Sequence, residues 1–170
     1  MNLKKVVFPV AGLGSRFLPA TKAIPKEMLP IIDKPLIQYA VEEAIDAGFN
    51  ELIFITGDTK RAITDHFDFK PDLNISNLTK DKKIFISQMH RIIPDHVSCQ
   101  YIIQDEPLGL GHAILQAKEA VGEDPFAVVL ADDLIDAKSG VLKQMLEHYQ
   151  DENSSIISVQ KIKKSESVNY

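Results

Sequence analysis

Cysteine is almost missing from this chain. Its single thiol, Cys99, has no internal partner, which excludes a disulfide framework and leaves nothing that points to an oxidising compartment. A cytoplasmic location is the expectation. No apolar run approaches the ~20 residues a membrane span requires. The one candidate leader, Lys4 to Phe8, meets Pro9 and Gly12 before it reaches useful length, so it reads as a buried first strand. Excess positive charge is lacking too. A net charge of −5 argues against a nucleic-acid binder, which neutralises phosphates with a basic surface. There is no internal repeat, no low-complexity segment and no His/Cys cluster suited to zinc.

What is present suits a globular domain. With 170 residues, of which 45% are hydrophobic and 25% charged, the chain can build one ordinary core, and one domain is the default. A continuous apolar run at Lys5–Val10 predicts a buried first strand, and Leu52–Thr56, Tyr101–Gln104, Phe126–Ala131 and Ser155–Gln160 read as the strands that follow. Between them, helical spacing appears from Leu36 to a stop at Gly48, over Thr59–Phe67, from Leu110 to Gly122, and over Val141–Tyr149 with Ser139 as its cap. Residues 70–83 read as an exposed insertion, and residues 85–92 fit a helix better than a strand. The alternation predicts an α/β sandwich around a largely parallel sheet, whose ligand lies beyond the carboxyl ends of the strands.

Three chemically loaded segments fall at strand ends. They are the loop after Val10, the segment after Gln104 and the acidic pair Asp132-Asp133. The first is the richest. Pro19, Pro25, Pro30 and Pro35 hold off any helix, and between Ala11 and Pro35 four cations (Arg16, Lys22, Lys26, Lys34) face two acids (Glu27, Asp33), so an acidic chain carries a positive loop. Gly12 and Gly14 let the backbone approach a ligand and turn amides toward an anion. Arg16 adds a fork suited to phosphate oxygens and Lys26 a compact charge. A tight glycine turn with solvated cations is the plainer alternative. Two familiar phosphate loops are excluded. There is no Gly-Lys-Ser/Thr ending, and Phe17 stands where the dinucleotide fingerprint needs its third glycine.

The run Gly12-Leu13-Gly14-Ser15-Arg16 through Pro25-Lys26-Glu27-Met28-Leu29-Pro30 resembles the signature of sugar-1-phosphate nucleotidyltransferases. Pro19–Pro30, followed by Asp33-Lys34-Pro35-Leu36-Ile37-Gln38-Tyr39, and Gly109-Leu110-Gly111-His112-Ala113 are similar to blocks of the bacterial uridylyl-transferring subfamily. Ser15 departs from the commoner threonine but keeps its hydroxyl. The likeness covers the whole chain. It implies a Rossmann-like three-layer sandwich with a largely parallel, mixed sheet, of the nucleotide-diphospho-sugar transferase type. Members of the family normally continue well beyond this length, with a sugar pocket and a second metal-binding aspartate. A single nucleotidyltransferase domain over residues 1–170, C-terminally truncated and without the sugar-binding half, is therefore the expectation.

The resemblance also implies a reaction. Glucose 1-phosphate attacks the α-phosphorus of UTP in line, giving UDP-glucose and pyrophosphate. Arg16 and Lys26 are the implied catalytic residues. Ala11, Gly12, Gly14, Ser15, Glu27, Gln104 and Gly109 are implied to bind the nucleotide, with Gln104 at the uracil edge. Asp132 is implied to hold Mg2+, while His112 supports its loop. The implied partners are small molecules and other copies of the chain in a homo-oligomer, with no nucleic acid and no membrane. Without the resemblance, Lys26 can pair with Glu27 or a nearby acid, Gln104 is an ordinary strand-end polar residue, and Asp132 can cap a turn. A thymidylyl-transferring relative, a non-catalytic nucleotide-binding or assembly module, and more distantly a NAD-binding domain are the competing functions.

Overall fold

The computed structural model describes residues 3–57, 61–68, 79–81, 92–152, 154–159 and 161–163. They fall into two compact units, one ending at Leu134 and the other beginning at Ile135.

The first unit is built on β1 (Lys5–Pro9), whose Val6, Val7 and Phe8 are fully buried. A two-stranded antiparallel ribbon, β2 (Pro30–Ile31) and β3 (Lys34–Pro35), leads into α1 (Leu36–Asp46). This helix buries Ile37, Ala40, Val41 and Ala44, a stripe at the 3, 4 and 7 spacing that the sequence displays. Gly48 ends it at φ +99°, donating to the Ile45 carbonyl while Phe49 donates to Ala44, a Schellman closure that needs a residue free of a Cβ. The chain continues through β4 (Glu51–Thr56), α2 (Arg61–Phe67), β5 (Ser98–Ile103), α3 (Leu110–Gln116), α4 (Lys118–Val121) and β6 (Phe126–Val128).

The four-stranded sheet has the order β5-β4-β1-β6, with every pair parallel. From β1 the chain steps to β4 and on to β5, then returns across the sheet to β6. Right-handed crossovers therefore put α1 and α2 on one face and α3 and α4 on the other. Side chains agree. Phe54 stacks between Phe8 and Tyr101 at 5.0 and 5.2 Å, and meets Phe67 of α2 at 5.3 Å. On the opposite face Val7, Ile53 and Ile55 bury Ala113, Ala117 and Val121 of α3 and α4. Small side chains on those helices let them lie close to the strands. The expected three-layer α/β arrangement is thus present in this unit, and the direction of travel reverses between β1 and β6.

Several expectations change in detail. The helix read from Leu110 to Val121 is divided at Ala117, and the strand expected over Phe126–Ala131 ends at Val128. Residues 85–91 and most of 70–83 lie outside the described residues. In the second unit α5 (Val141–Glu152) forms as read, but Ser139 contributes its carbonyl, which accepts from the Gln144 side-chain amide, and Gly140 occupies the position before the helix. The strand expected over Ser155–Gln160 is not formed in residues 154–159. Ile157 and Val159 stand 83% and 87% exposed, because an apolar run becomes a strand only where another strand satisfies its backbone.

Candidate active site

A parallel sheet whose chain direction reverses leaves a crevice at the carboxyl ends of the two strands flanking the reversal. Here those strands are β1 and β6, so the loop after Pro9 and the turn after Val128 meet by topology alone.

The loop from Ala11 to Leu29 is ordered as three single turns of 3₁₀ helix, Ser15–Phe17, Ala20–Lys22 and Lys26–Met28. Prolines at 19 and 25 stand immediately before the second and third turns and prevent them from joining into a longer helix. Gly14 has φ +64°, and a Cβ there would lie 3.1 Å from Lys26 Cβ and 3.2 Å from Thr21 Cγ2. Glycine is required twice over, by backbone conformation and by space. Thr21 Oγ1 donates to the Gly14 carbonyl at 2.7 Å and draws the second turn onto the first. Beneath the loop Glu27 is 1% exposed.

These constraints aim Lys26 at the turn after β6. Lys26 Nζ lies 2.5 Å from Asp132 Oδ2. Burial raises the pKa of the Asp132 carboxyl. The hydrogen bond and charge of Lys26, the residue's own backbone amide and the Arg16 charge outweigh burial and hold it below the usual carboxylate value. Asp132 is thus ionised at neutral pH and lies within the field of Arg16. Gly12, Gly14, Ser15, Arg16, Phe17, Lys26 and Asp132 together wall a cleft of about 230 Å³.

The structure therefore brings Gly12, Gly14, Ser15, Arg16, Lys26 and Asp132 around one space. Ala11 is buried at the start of the loop, and Glu27 is buried under it. Gln104 and Gly109 stand beyond β5. Gln104 is 6% exposed, its backbone amide donates to the Thr56 carbonyl, and its side-chain Nε2 lies 2.8 Å from His112 Nδ1. Gly109 precedes α3 at φ +100°. Lys34, counted with the positive loop, turns away to Glu42 at 2.7 Å. Phe17 as a wall and Thr21 as a brace were missed by sequence reasoning. An aromatic residue three positions after Gly14, in a loop otherwise rich in glycine and cations, was the available signal for the first; Thr21 offered none.

Among the described residues no group of three or more His, Cys, Asp or Glu comes together to hold a metal. The donor chemistry still fits Mg2+, which takes one or two protein carboxylates and completes its shell with water and substrate phosphates. Asp132, ionised and 44% exposed at the edge of a phosphate-sized cleft, can be that carboxylate.

A parallel α/β sheet carrying a glycine-rich, cation-bearing loop at its switch point is an arrangement suited to phosphate groups. The chain matches the Nucleotidyl transferase family model over residues 5–170, and it belongs to that family. It is 47% identical over 169 residues to a UTP--glucose-1-phosphate uridylyltransferase of Bacillus subtilis, covering 99% of this chain and 58% of the relative. A Pseudomonas aeruginosa protein of the same name is 48% identical over 170 residues, covering 99% and 61%. The chain thus spans about three fifths of the length of these relatives. Among solved structures, a UDP-glucose pyrophosphorylase complexed with UDP-glucose superposes with a TM-score of 0.83 at 44% identity, over 97% of this chain and 60% of that one. A UTP-bound UGPase from Acinetobacter baumannii gives 0.84 at 44% identity, over 90% and 54%. A putative glucose-1-phosphate thymidylyltransferase from Bacillus anthracis, at 22% identity and a TM-score of 0.63, shares the fold.

Proposed function

We propose that this protein transfers a uridylyl group from UTP to glucose 1-phosphate, giving UDP-glucose and pyrophosphate. The observation that carries the proposal is the convergence of Arg16, Lys26 and Asp132 on one glycine-walled cleft at the switch point of the sheet. The names of the relatives and the UTP and UDP-glucose complexes of the structural neighbours support the choice of substrates.

The chemistry asks for positioning and charge neutralisation rather than covalent help. A phosphate oxygen of glucose 1-phosphate forms a bond to the α-phosphorus of UTP, the α–β phosphoanhydride bond breaks, and its electron pair leaves with pyrophosphate. Arg16 grips the triphosphate and stabilises the departing pyrophosphate. Lys26 neutralises charge near the reacting phosphates, reaching them by exchanging its Asp132 partner for phosphate oxygen. Ala11, Gly12, Gly14 and Ser15 offer the loop backbone and hydroxyl to the nucleotide, with Glu27 supporting that loop from beneath. Gln104 and Gly109 receive the base. Asp132 would hold Mg2+, which would supply positive charge against the charge that develops on the phosphates.

The same reading includes a cytoplasmic location, supported by the lone Cys99, and a homo-oligomer. Support for the latter is the apolar exposure at the end strand of the sheet, where Phe126 and Val128 are 36% and 37% exposed. No helix among the described residues is long and apolar enough to cross a membrane.

Magnesium-dependent UTP binding by calorimetry tests the proposal, with TTP and NAD as competitors and Arg16→Ala as the variant. Selective UTP binding that weakens in the variant, together with UDP-glucose formation, is expected. A folded protein that prefers NAD, or binds UTP as well without Arg16, would overturn it.

A further inference from the structure

The stretch of the cleft loop that carries Arg16 lies almost wholly on the surface. From Ser15 to Ile24 every residue is exposed except Thr21, which is half-buried. Burial therefore does little to fix the segment, and hydrogen bonds have to. Among the described residues, those that tie it to the chain outside both end on one atom. The Gly14 carbonyl accepts from the Phe17 amide at 3.0 Å and from Thr21 Oγ1 at 2.7 Å. The others, from the Leu18 amide to the Ser15 carbonyl and from the Lys22 amide to the Pro19 carbonyl, stay within the segment.

That carbonyl governs what the cleft is offered. A trans peptide is planar, with its C=O and N–H pointing opposite ways, so turning the Gly14 oxygen toward Thr21 turns the Ser15 N–H away from it. Gly14, Ser15 and Arg16 wall the cleft, and Thr21 does not. Among the described residues no backbone carbonyl accepts from the Ser15 or Arg16 amide, which leaves these donors for a ligand. Gly14 cannot hold the peptide plane by itself, because a residue without a Cβ leaves its ψ nearly free. The Phe17 bond closes only a single 3₁₀ turn, where hydrogen-bond geometry is poor. The Thr21 hydroxyl makes the shorter contact and comes from the following turn, so it fixes the plane against the rest of the loop.

We infer that Thr21 is a positioning residue for the phosphates: by holding the Gly14 carbonyl, its hydroxyl keeps the Ser15 and Arg16 amides and the turn that bears the Arg16 guanidinium set toward the cleft. The inference rests on the reading of this cleft as the triphosphate site and adds the residue that shapes it.

Two variants and one spectroscopic signature test it. Thr21→Val keeps the shape of the side chain but has no donor, and its UTP affinity by calorimetry falls by about tenfold, the worth of one hydrogen bond. Thr21→Ser loses the methyl group, keeps the donor and stays near the wild type. Saturating pyrophosphate moves the Ser15 amide proton downfield in the wild type, and that shift shrinks in Thr21→Val. Because it is read at saturation, it reports how the amide is aimed and not how tightly the ligand binds. If Thr21→Val fails to fold, Thr21→Ala and Thr21→Ser, which differ by the one oxygen, take its place, and equal affinities in that pair overturn the inference. So does a serine variant that loses as much as the valine one, since methyl packing would then be the cause, and so does a Ser15 amide that pyrophosphate leaves unmoved in the wild type. A folded wild-type protein with no affinity for UTP overturns both the inference and the uridylyl reading, whereas UTP binding that survives Thr21→Val undiminished overturns the inference alone.

Discussion

Lys26 and Asp132, separated by 106 positions in the chain, meet at 2.5 Å across the crevice between β1 and β6. The two charges neutralise each other, and under the proposed function Lys26 would leave Asp132 for a phosphate while Asp132 would turn to a metal ion. Removing one partner therefore has opposite consequences for phosphate binding according to which partner is removed.

Lys26→Ala should lower UTP affinity by tenfold or more, the typical order for losing a charge-assisted hydrogen bond, and lower turnover by about 10² to 10³. Asp132→Asn should leave or raise UTP affinity without magnesium, because Lys26 is freed, while removing the gain that magnesium brings. Calorimetry of both variants with and without magnesium checks this. Equal losses in both would show that the pair is only structural.

Gly14→Ala combines a left-handed φ of +64° with a Cβ placed 3.1 Å from Lys26 Cβ. We expect a loss of about 1–2 kcal/mol in urea unfolding, from backbone strain alone. A larger proportional loss of UTP affinity should accompany it as Lys26 is displaced. Unchanged stability would mean that the loop relaxes around the methyl group.

Ile32, at the tip of the β2–β3 ribbon, adopts φ +60° and is 97% exposed, so a β-branched residue is held in the left-handed region with no burial to offset the strain. Ile32→Asn should stabilise the protein by about 0.5–1 kcal/mol in thermal or chemical unfolding, since asparagine tolerates that region.

Cys99 bears on alkaline stability. Burial and the Asp68 charge push its thiol up to about 11, against an opposing hydrogen bond with Tyr101. The unfolded thiol titrates near 8.5, so between about pH 8.5 and 11 the unfolded chain binds fewer protons than the folded one and stability falls as pH rises. Burial raises the Tyr101 hydroxyl in the same direction. Cys99→Ala should flatten that part of the pH–melting curve, and native Cys99 should react with a thiol reagent at pH 8 about a hundredfold more slowly than the unfolded chain. Rapid labelling of the native protein would contradict this.

Much of the architecture was legible in the chain because it rests on local periodicity. Val6 to Phe8 and Leu52 to Ile55 are apolar without interruption and became the fully covered centre of a parallel sheet. The stripe of α1 and its stop at Gly48 followed from spacing and from a residue that tolerates positive φ. Ser155–Val159 misled because a short apolar run has no strand character of its own without a partner to complete its ladder.

The sequence by itself determined the alternation of strand and helix, the glycine and proline punctuation that keeps residues 11–29 out of a long helix, and the stock of cations, acids and amides at strand ends. These depend on propensity, backbone sterics and residue chemistry within a few positions. Only the tertiary structure decided that Lys26 faces Asp132 while Lys34 faces Glu42, that Thr21 braces Gly14, and that His112 stands between Gln104 and Gln116. The Lys26–Asp132 pairing, across 106 positions, is set by the strand order β5-β4-β1-β6, which lays the turn after β6 beside the loop after β1, a long-range property that no local pattern encodes. The other pairings join residues close in the chain, and they depend on how each loop and helix start is folded, which residue types alone do not specify.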